Sequence, residues 1–459
     1  MGGSGQRGRL FGTDGVRGVA GDDLTAPLAL DLAAAAAVVL RTPEDDDAVP
    51  GPQGDRAVAV VGRDSRASGE FLEAAVAAGL ASAGVDVLRL GVIPTPGVAY
   101  LTGALGAAFG VVISASHNPA SDNGIKFFGR GGVKLPDAVE DQIEARLGRP
   151  SANTAFGRIE GAAAEQERYL DHLLSTLPGP PGRALAGLRV VADCAHGAAY
   201  RLAPEALRRA GAEVIAIGAA PDGRNINEGF GSTCLDTVSA AVVEHGADAG
   251  VAYDGDADRC HAVDADGPPL DGDQILAVLA TELREEGRLA RDAVVVTVMS
   301  NQGFHVAMRD AGIAVIETPV GDKHVSAAMR DGGYVLGGEQ SGHIILIEHA
   351  TTGDGILTSL QLLAAVNRRG VPMAAAAKMI QKYPQVLVNV PGDASRLGPW
   401  LDAAVSRAKT RLGGNGRVLV RPSGTEPAIR LMVQAEDAGL AQQVIDELAG
   451  EVRLALSRH

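Results

Sequence analysis

Ser116, His117, Asn118, Asp122, Asn123 and Lys126 crowd into one stretch, VVISASHNPASDNGIKFFG, that begins at Val111. An apolar strand from Val111 to Ile113 that stops at Ser114 and opens into small and polar groups reads as a loop projected from a buried strand end. α/β proteins bind their ligands there. A serine hydroxyl is unreactive at neutral pH without assistance, so Ser116 needs a charged or basic neighbour, and Lys126 is a candidate to move charge and protons.

A second cluster, YDGDADR from Tyr253 to Arg259, follows a short apolar strand at Gly250 to Ala252. Asp254, Asp256 and Asp258 alternate, so an extended backbone turns all three carboxylates to one side. Like charges so close repel, and a hard divalent cation with oxygen ligands is the simplest way to keep them ionised; Mg2+ suits a site that also handles a phosphoryl group. An EF-hand loop is excluded, because its sixth and twelfth positions fall on Arg259 and Ala265. A phosphatase with the first aspartate as nucleophile, and a plain solvated turn, remain open.

Two further loops carry polar groups among glycines. VLGGEQSGHIILIEH, from Val335, sets Glu339, Ser341 and His343 between two strands, a pairing of carboxylate and hydroxyl that suits a sugar or other polyol. TPVGDKHV, from Thr318, adds Lys323 and His324 in another glycine-containing turn. RPSGTEPAIR supplies Arg421, Ser423, Gly424, Thr425 and Arg430, in which hydroxyls, turn N–H groups and guanidinium forks make an anion nest for a phosphate. The spacing is not that of an NTPase P-loop, so the phosphate belongs to a substrate rather than to ATP. For both loops the plain alternative is an ordinary connection between strands.

The elements that must hold these loops repeat. Strand, turn, helix and strand follow one another from Ala57, again from Arg189, and again from Val294, and each helix closes on an Ala-Gly pair with the glycine as its C-cap. Three βαβ units imply three related three-layer α/β/α domains with mixed, largely parallel sheets. From about residue 375 the pattern changes to strands joined by a tight turn, with helices at Pro399 to Leu412 and Leu440 to Leu456. That is a smaller C-terminal α+β domain with an antiparallel sheet. The boundaries are set at 1–155, 156–258, 259–373 and 374–459. Thr42 to Asp55 and Pro150 to Gly161 read as loops.

Composition limits the partners. The formal net charge of -15, with no dense basic run, argues against nucleic acid and anionic membranes. Cys194, Cys234 and Cys260 lie too far apart for a zinc site or disulfide framework. The chain lacks a long apolar run and a signal-peptide core, so the expectation is a soluble, cytoplasmic protein.

Five motifs, FGTDGVRG at Phe11 to Gly18, SASHNP at Ser114 to Pro119, DGDADR at Asp254 to Arg259, GEQSGH at Gly338 to His343 and RPSGTEP at Arg421 to Pro427, appear in this order. By them the chain resembles the α-D-phosphohexomutase superfamily over nearly its whole length. GEQSGH, the FGTDG opening and TVMSN at Thr297 to Asn301 resemble its bacterial glucosamine branch. The resemblance implies four domains around a central cleft and interconversion of glucosamine 6-phosphate and glucosamine 1-phosphate through a sugar 1,6-bisphosphate. Such an activity feeds UDP-N-acetylglucosamine and cell-wall precursor synthesis. It implies a phosphate carried covalently on Ser116, and one Mg2+ held by Asp254, Asp256 and Asp258 with the phosphoserine oxygen. Arg17, His117 and Arg259 would stand near the transferring group, with Lys126 or His343 moving the proton. Glu339, Ser341, His343 and Lys323 would contact the sugar, and Arg421, Ser423, Gly424, Thr425 and Arg430 the non-reacting phosphate. The expected partners are small-molecule sugar phosphates, with a homodimer as the assembly considered. A glucose or mannose phosphate mutase and a non-catalytic sugar-phosphate binder are the alternatives.

Overall fold

A computed structural model describes residues 9–12, 14–41, 56–149, 156–392, 398–413, 415–422 and 428–457. The loop expected at Thr42 to Asp55 falls wholly outside them, as do Ser423, Gly424 and Thr425. By contacts the chain divides into two units. One comprises Met1–Val298 and Ile316–Ala377, the other Met299–Val315 and Lys378–His459.

The first unit carries three sheets. In the first, Val58–Arg63 lies between Phe109–Ile113 and Asp86–Val92, all parallel, because a helix crosses over between consecutive strands. Ile159–Gly161 extends this parallel group, where a loop was expected; three exposed residues give no hydrophobic pattern to read. Asp122–Gly129 then pairs antiparallel with Phe109–Ile113, and Val16–Val19 antiparallel with Asp122–Gly129. The second sheet has parallel Ala249–Tyr253, Arg189–Asp193 and Glu213–Ile217, with Cys260–Asp264 and Pro269–Leu270 added antiparallel. In the third, Ala293–Thr297 pairs parallel with Leu336–Gly338, which pairs antiparallel with Ile344–Leu346, while Ala314–Thr318 forms the outer edge. The sheets are mixed, with parallel centres.

The repeated helix endings are built as their sequence implies. Gly84, Gly211 and Gly312 follow the last helical turns with φ of 86°, 110° and 68°, a region open to glycine at little cost. The scarcity of aromatic side chains has a packing consequence in the alanine-rich helices Ala26–Leu40 and Ser68–Ser82. Their backbones approach so closely that a Cβ on Gly79 would come 2.3 Å from the Leu30 carbonyl oxygen. Leu32, Leu72, Val76 and Leu80 fill what space remains and are wholly buried. Each contributes about 1.5–3 kcal/mol by leaving water.

The second unit is an antiparallel sheet in the order Gln385–Pro391, Ala428–Gln434, Arg417–Pro422, packed by helices Pro399–Leu412 and Ala438–Ser457 through Ile429, Leu431, Val433, Ile445 and Leu448. The helix of the third repeat, Gln302–Asp310, belongs to this unit. Asn301 caps that helix at Gly303 N and binds both backbone groups of Tyr383, at 2.9 and 3.0 Å. No helix among the described residues is long and apolar enough to cross a membrane.

Candidate active site

Ser116 lies where the strand Phe109–Ile113 ends, 1% exposed and with φ of 54°. Its Oγ donates to Asp254 Oδ2 at 2.6 Å, which links the end of the first sheet to the end of the second. The polar loop is shorter than expected. Asp122, Asn123 and Lys126 stand on the strand Asp122–Gly129, with Lys126 paired to Val112 across the ladder, because the interior of that strand is buried on both faces and shows no alternation to mark it.

The three aspartates are brought together, but not by an extended chain. Residues 254–258 form a turn with Ala257 at φ 56°, and one carboxylate oxygen from each aspartate lies within 4.8 Å of the others. Asp256 Oδ1 and Asp258 Oδ1 are buried without a hydrogen-bond partner. Buried, unpartnered, all-oxygen donors fit a hard divalent cation. Burial, together with repulsion by Asp258 and Asp256, pushes Asp254 well above the usual carboxylate range; burial and Asp256 raise Asp258. Burial also works against Asp256, but Lys126 beside it outweighs this and brings it to about 2.

Lys126 Nζ is held 2.7 Å from Asp14 Oδ2 and 2.9 Å from Asp256 Oδ2. Burial disfavours its charge, yet the two carboxylates prevail and raise its pKa, so it remains an ammonium. Asp14 also pairs with Arg17 and Lys134, and Lys134 pairs with Asp322. His343 is 3% exposed with Nε2 3.4 Å from Asp322 Oδ2, and its backbone bridges to Arg259 at the end of the acidic turn. Burial, followed by Arg259 and Arg17, lowers His117 to about 4, so its ring is neutral at pH 7 and Nδ1 accepts from Arg259 Nη1 at 3.0 Å.

Arg17, His117, Asp258, Arg259, Glu339 and His343 line a cleft of about 380 Å³ together with Asp14 and Asp322. Ser341 is not among its lining residues; its Oγ is buried without a partner. Lys323 is not brought there either: it lies in the first turn of the helix Asp322–Gly332, not in a loop turn, and its Nζ binds Glu140 at 2.8 Å and Asp137 at 3.2 Å. In the second unit Arg421 and Arg430 face each other across the antiparallel ladder, and burial with the Arg430 charge lowers the Arg421 pKa. Asp14, Lys134, Asp322 and Thr95 emerge as site residues only in three dimensions; Thr95 Oγ1 donates to Asp256 Oδ2 at 2.7 Å. Of these only Asp14, beside Arg17 in FGTDGVRG, had a local signal in the sequence.

The chain matches phosphoglucomutase/phosphomannomutase α/β/α domain I over residues 8–153, domain II over 167–267, domain III over 271–383 and the C-terminal domain over 368–451. It is similar to the phosphoglucosamine mutases of Thermobifida fusca (62% identical, covering 98% of this chain and 99% of that one) and Streptomyces coelicolor (57%, covering 98% and 100%). Among solved structures, a phosphoglucomutase/phosphomannomutase family protein from Burkholderia thailandensis is similar with a TM-score of 0.80 and 25% identity, covering 97% of each chain. The Aspergillus fumigatus N-acetylphosphoglucosamine mutase, solved in complex with GlcNAc-6P and magnesium, shares the fold at a TM-score of 0.67 and 18% identity, covering 97% of this chain and 96% of that one.

Proposed function

The chain belongs to the phosphoglucomutase/phosphomannomutase family of α-D-phosphohexomutases, and on that premise we propose that it interconverts glucosamine 6-phosphate and glucosamine 1-phosphate through a phosphorylated Ser116. The observation that carries this reading is the 2.6 Å contact of Ser116 Oγ with Asp254, at the edge of three converging carboxylates. An acyl-transfer serine wants a base and an oxyanion hole; a serine against a cation site suits a phosphoryl group.

In the forward half-reaction the bond from phosphorus to Ser116 Oγ breaks, a bond forms to the free O1 or O6 of the sugar phosphate, and the hydroxyl proton leaves. The resulting 1,6-bisphosphate turns end for end and returns its other phosphoryl group to Ser116. Mg2+ held by Asp254, Asp256 and Asp258 would neutralise charge on the serine and phosphoryl oxygens. Lys126, kept protonated by Asp14 and Asp256, serves as a fixed positive charge and proton donor rather than as a base. His343, beside Asp322 and lining the cleft, is the better acceptor of the hydroxyl proton. Arg17, Arg259 and neutral His117 face the transferring group, and Glu339 takes sugar hydroxyls. Arg421 and Arg430, with Ser423, Gly424 and Thr425, take the non-reacting phosphate; an anion between the two guanidinium groups relieves their mutual repulsion.

The test is an assay of the purified chain on glucosamine 6-phosphate beside glucose and mannose phosphates, with intact-mass detection of phosphate on Ser116. Preference for the amino sugar and complete loss of turnover in Ser116→Ala are expected. Turnover by Ser116→Ala near the parent rate would overturn the covalent route, and a preference for glucose or mannose phosphate would move the chain to another branch.

A further inference from the structure

Beneath the serine loop lies a guanidinium with no part in the chemistry above. Arg66 is 0% exposed, the largest side chain buried so completely among the described residues. An arginine offers five N–H donors in a rigid fork, and all five are used here. Nε donates to Asp64 Oδ2 at 2.8 Å. Nη2 donates to the carbonyl oxygens of Ser116 and Asn118, both at 2.9 Å. Nη1 donates to those of Asp122, at 3.0 Å, and Pro119. Four backbone carbonyls of one loop therefore converge on one side chain. The acid that balances it, Asp64, is also fully buried; it accepts Ser114 Oγ at 2.6 Å, and Ser114 Oγ in turn accepts Ser116 N at 2.9 Å. From the second sheet's side, Asn227 Nδ2 donates to the same Ser116 and Asn118 carbonyls, at 2.9 and 3.0 Å.

This clamp explains how a non-glycine residue stays at φ 54° in a loop with no regular ladder. We infer that Arg66 and Asn227 are positioning residues: they fix the Ser116 backbone and, through it, the direction of Oγ toward Asp254 and the reacting phosphoryl group. The inference rests on the phosphoserine reading given above. It adds a demand particular to that reaction, since one hydroxyl must meet two opposite poses of the ligand and cannot be repositioned by either. Lysine keeps the charge opposite Asp64 but has three donors and no fork, so at least two carbonyls lose their bond from residue 66.

The test compares the full-length parent, Arg66→Lys and Asn227→Ala with Mg2+. Four quantities are measured: kcat and KM for glucosamine 6-phosphate, the rate at which Ser116 takes phosphate from glucose 1,6-bisphosphate by quenched-flow mass spectrometry, Tm, and amide exchange of the segment 114–122. A loss of position near 1 Å predicts a fall of about 10²-fold in kcat and in the Ser116 phosphorylation rate for Arg66→Lys, with KM within about threefold. Asn227→Ala, at a half-buried position, is expected to lose about tenfold in the same two rates, with a modest fall in Tm because alanine replaces asparagine at a φ of 63°. Amide exchange of the loop rises in both variants. The proposal is overturned if the folded variants keep kcat within about threefold of the parent, or if the loss lies in KM alone. Should Arg66→Lys fail to fold, Asn227→Ala decides. A parent that never carries phosphate on Ser116 defeats the covalent reading instead; loop exchange then decides the clamp, and exchange equal to the parent's in Asn227→Ala refutes it.

Discussion

Gly255, between two of the three aspartates, carries the most direct test of the site's geometry. A Cβ built on it would meet the Ser116 carbonyl oxygen at 2.5 Å, Ile226 Cδ1 at 2.8 Å and Asn227 Nδ2 at 3.0 Å. Its φ is not in the left-handed region, so alanine has no backbone objection to the position. The Ile226 side chain can swing aside, but the Ser116 carbonyl is fixed by Arg66 and by the Asn227 amide that binds it. Ordinary contact begins at 3.4 Å, so Gly255→Ala must drive the serine loop and the acidic turn apart by about 0.9 Å, the difference between 3.4 and 2.5 Å. The Ser116 Oγ to Asp254 contact, now 2.6 Å, then lengthens beyond a hydrogen bond. Misplacement on this scale costs about 10²-fold in kcat, and the overpacking itself about 1–3 kcal/mol of stability. The assay is steady-state turnover alongside thermal unfolding, with Gly161→Ala as the control, since a Cβ there meets nothing within 4 Å. A variant that loses stability yet keeps kcat within about threefold of the parent would refute the view that the close approach of Ser116 to Asp254 matters to the reaction.

Asp256→Asn removes both a metal ligand and one of the two carboxylate partners of Lys126, so Mg2+ affinity by calorimetric titration should fall by at least about tenfold; an unchanged affinity contradicts the three-aspartate site. Arg421→Ala should raise KM by about 10-fold or more through loss of a charge-assisted hydrogen bond, without lowering Tm, because it also removes the cross-strand repulsion with Arg430; an unaltered KM removes the hairpin from phosphate binding. Asp354, whose carboxyl accepts from Leu357 N and Tyr169 Oη, is pushed by burial from an ordinary 3.8 to about 6. A raised folded pKa gives stability that is fully present below about pH 4 and lost as pH rises through about 6. At pH 7 the ionised group thus costs about 3 kcal/mol, from a shift of about two units. Asp354→Asn keeps the bond from Leu357 N at its amide oxygen, turns an N–H toward Tyr169 Oη and does not titrate, so its stability relative to the parent should rise by about 3 kcal/mol between pH 4 and pH 7. A difference independent of pH counts against this.

What could be read from the sequence was whatever is local in it. The serine stretch, the three aspartates and GEQSGH each pack several functional groups into a few residues, and the βαβ repeats announce themselves by apolar strands and Ala-Gly helix ends. What could not be read arises from pairing. Asp14 reaches Lys126 because Val16–Val19 lies against Asp122–Gly129, and Lys134 and Asp322 meet from segments far apart in the chain. Lys126 looked like a loop residue because Asp122-Asn123-Gly124 reads as a turn, whereas burial on both faces makes it strand. The aspartates converge through a turn at Ala257 rather than by alternation, so their spacing in the sequence points to the grouping but not to the backbone that makes it. Arg66 gave no signal: within GRDSR it looks like a surface charge, and only its five buried donors show its place.

The uneven state of the three carboxylates has a consequence for how the site is loaded. Burial and mutual repulsion favour a proton on Asp254 and on Asp258, while Lys126 keeps Asp256 ionised. A divalent ion entering this group must therefore displace hydrogen ions, and its affinity climbs with pH. The heat of binding measured in a calorimeter then depends on the ionisation enthalpy of the buffer that takes them up. Acid acts on such a site as a ligand that competes with the ion for the same oxygens.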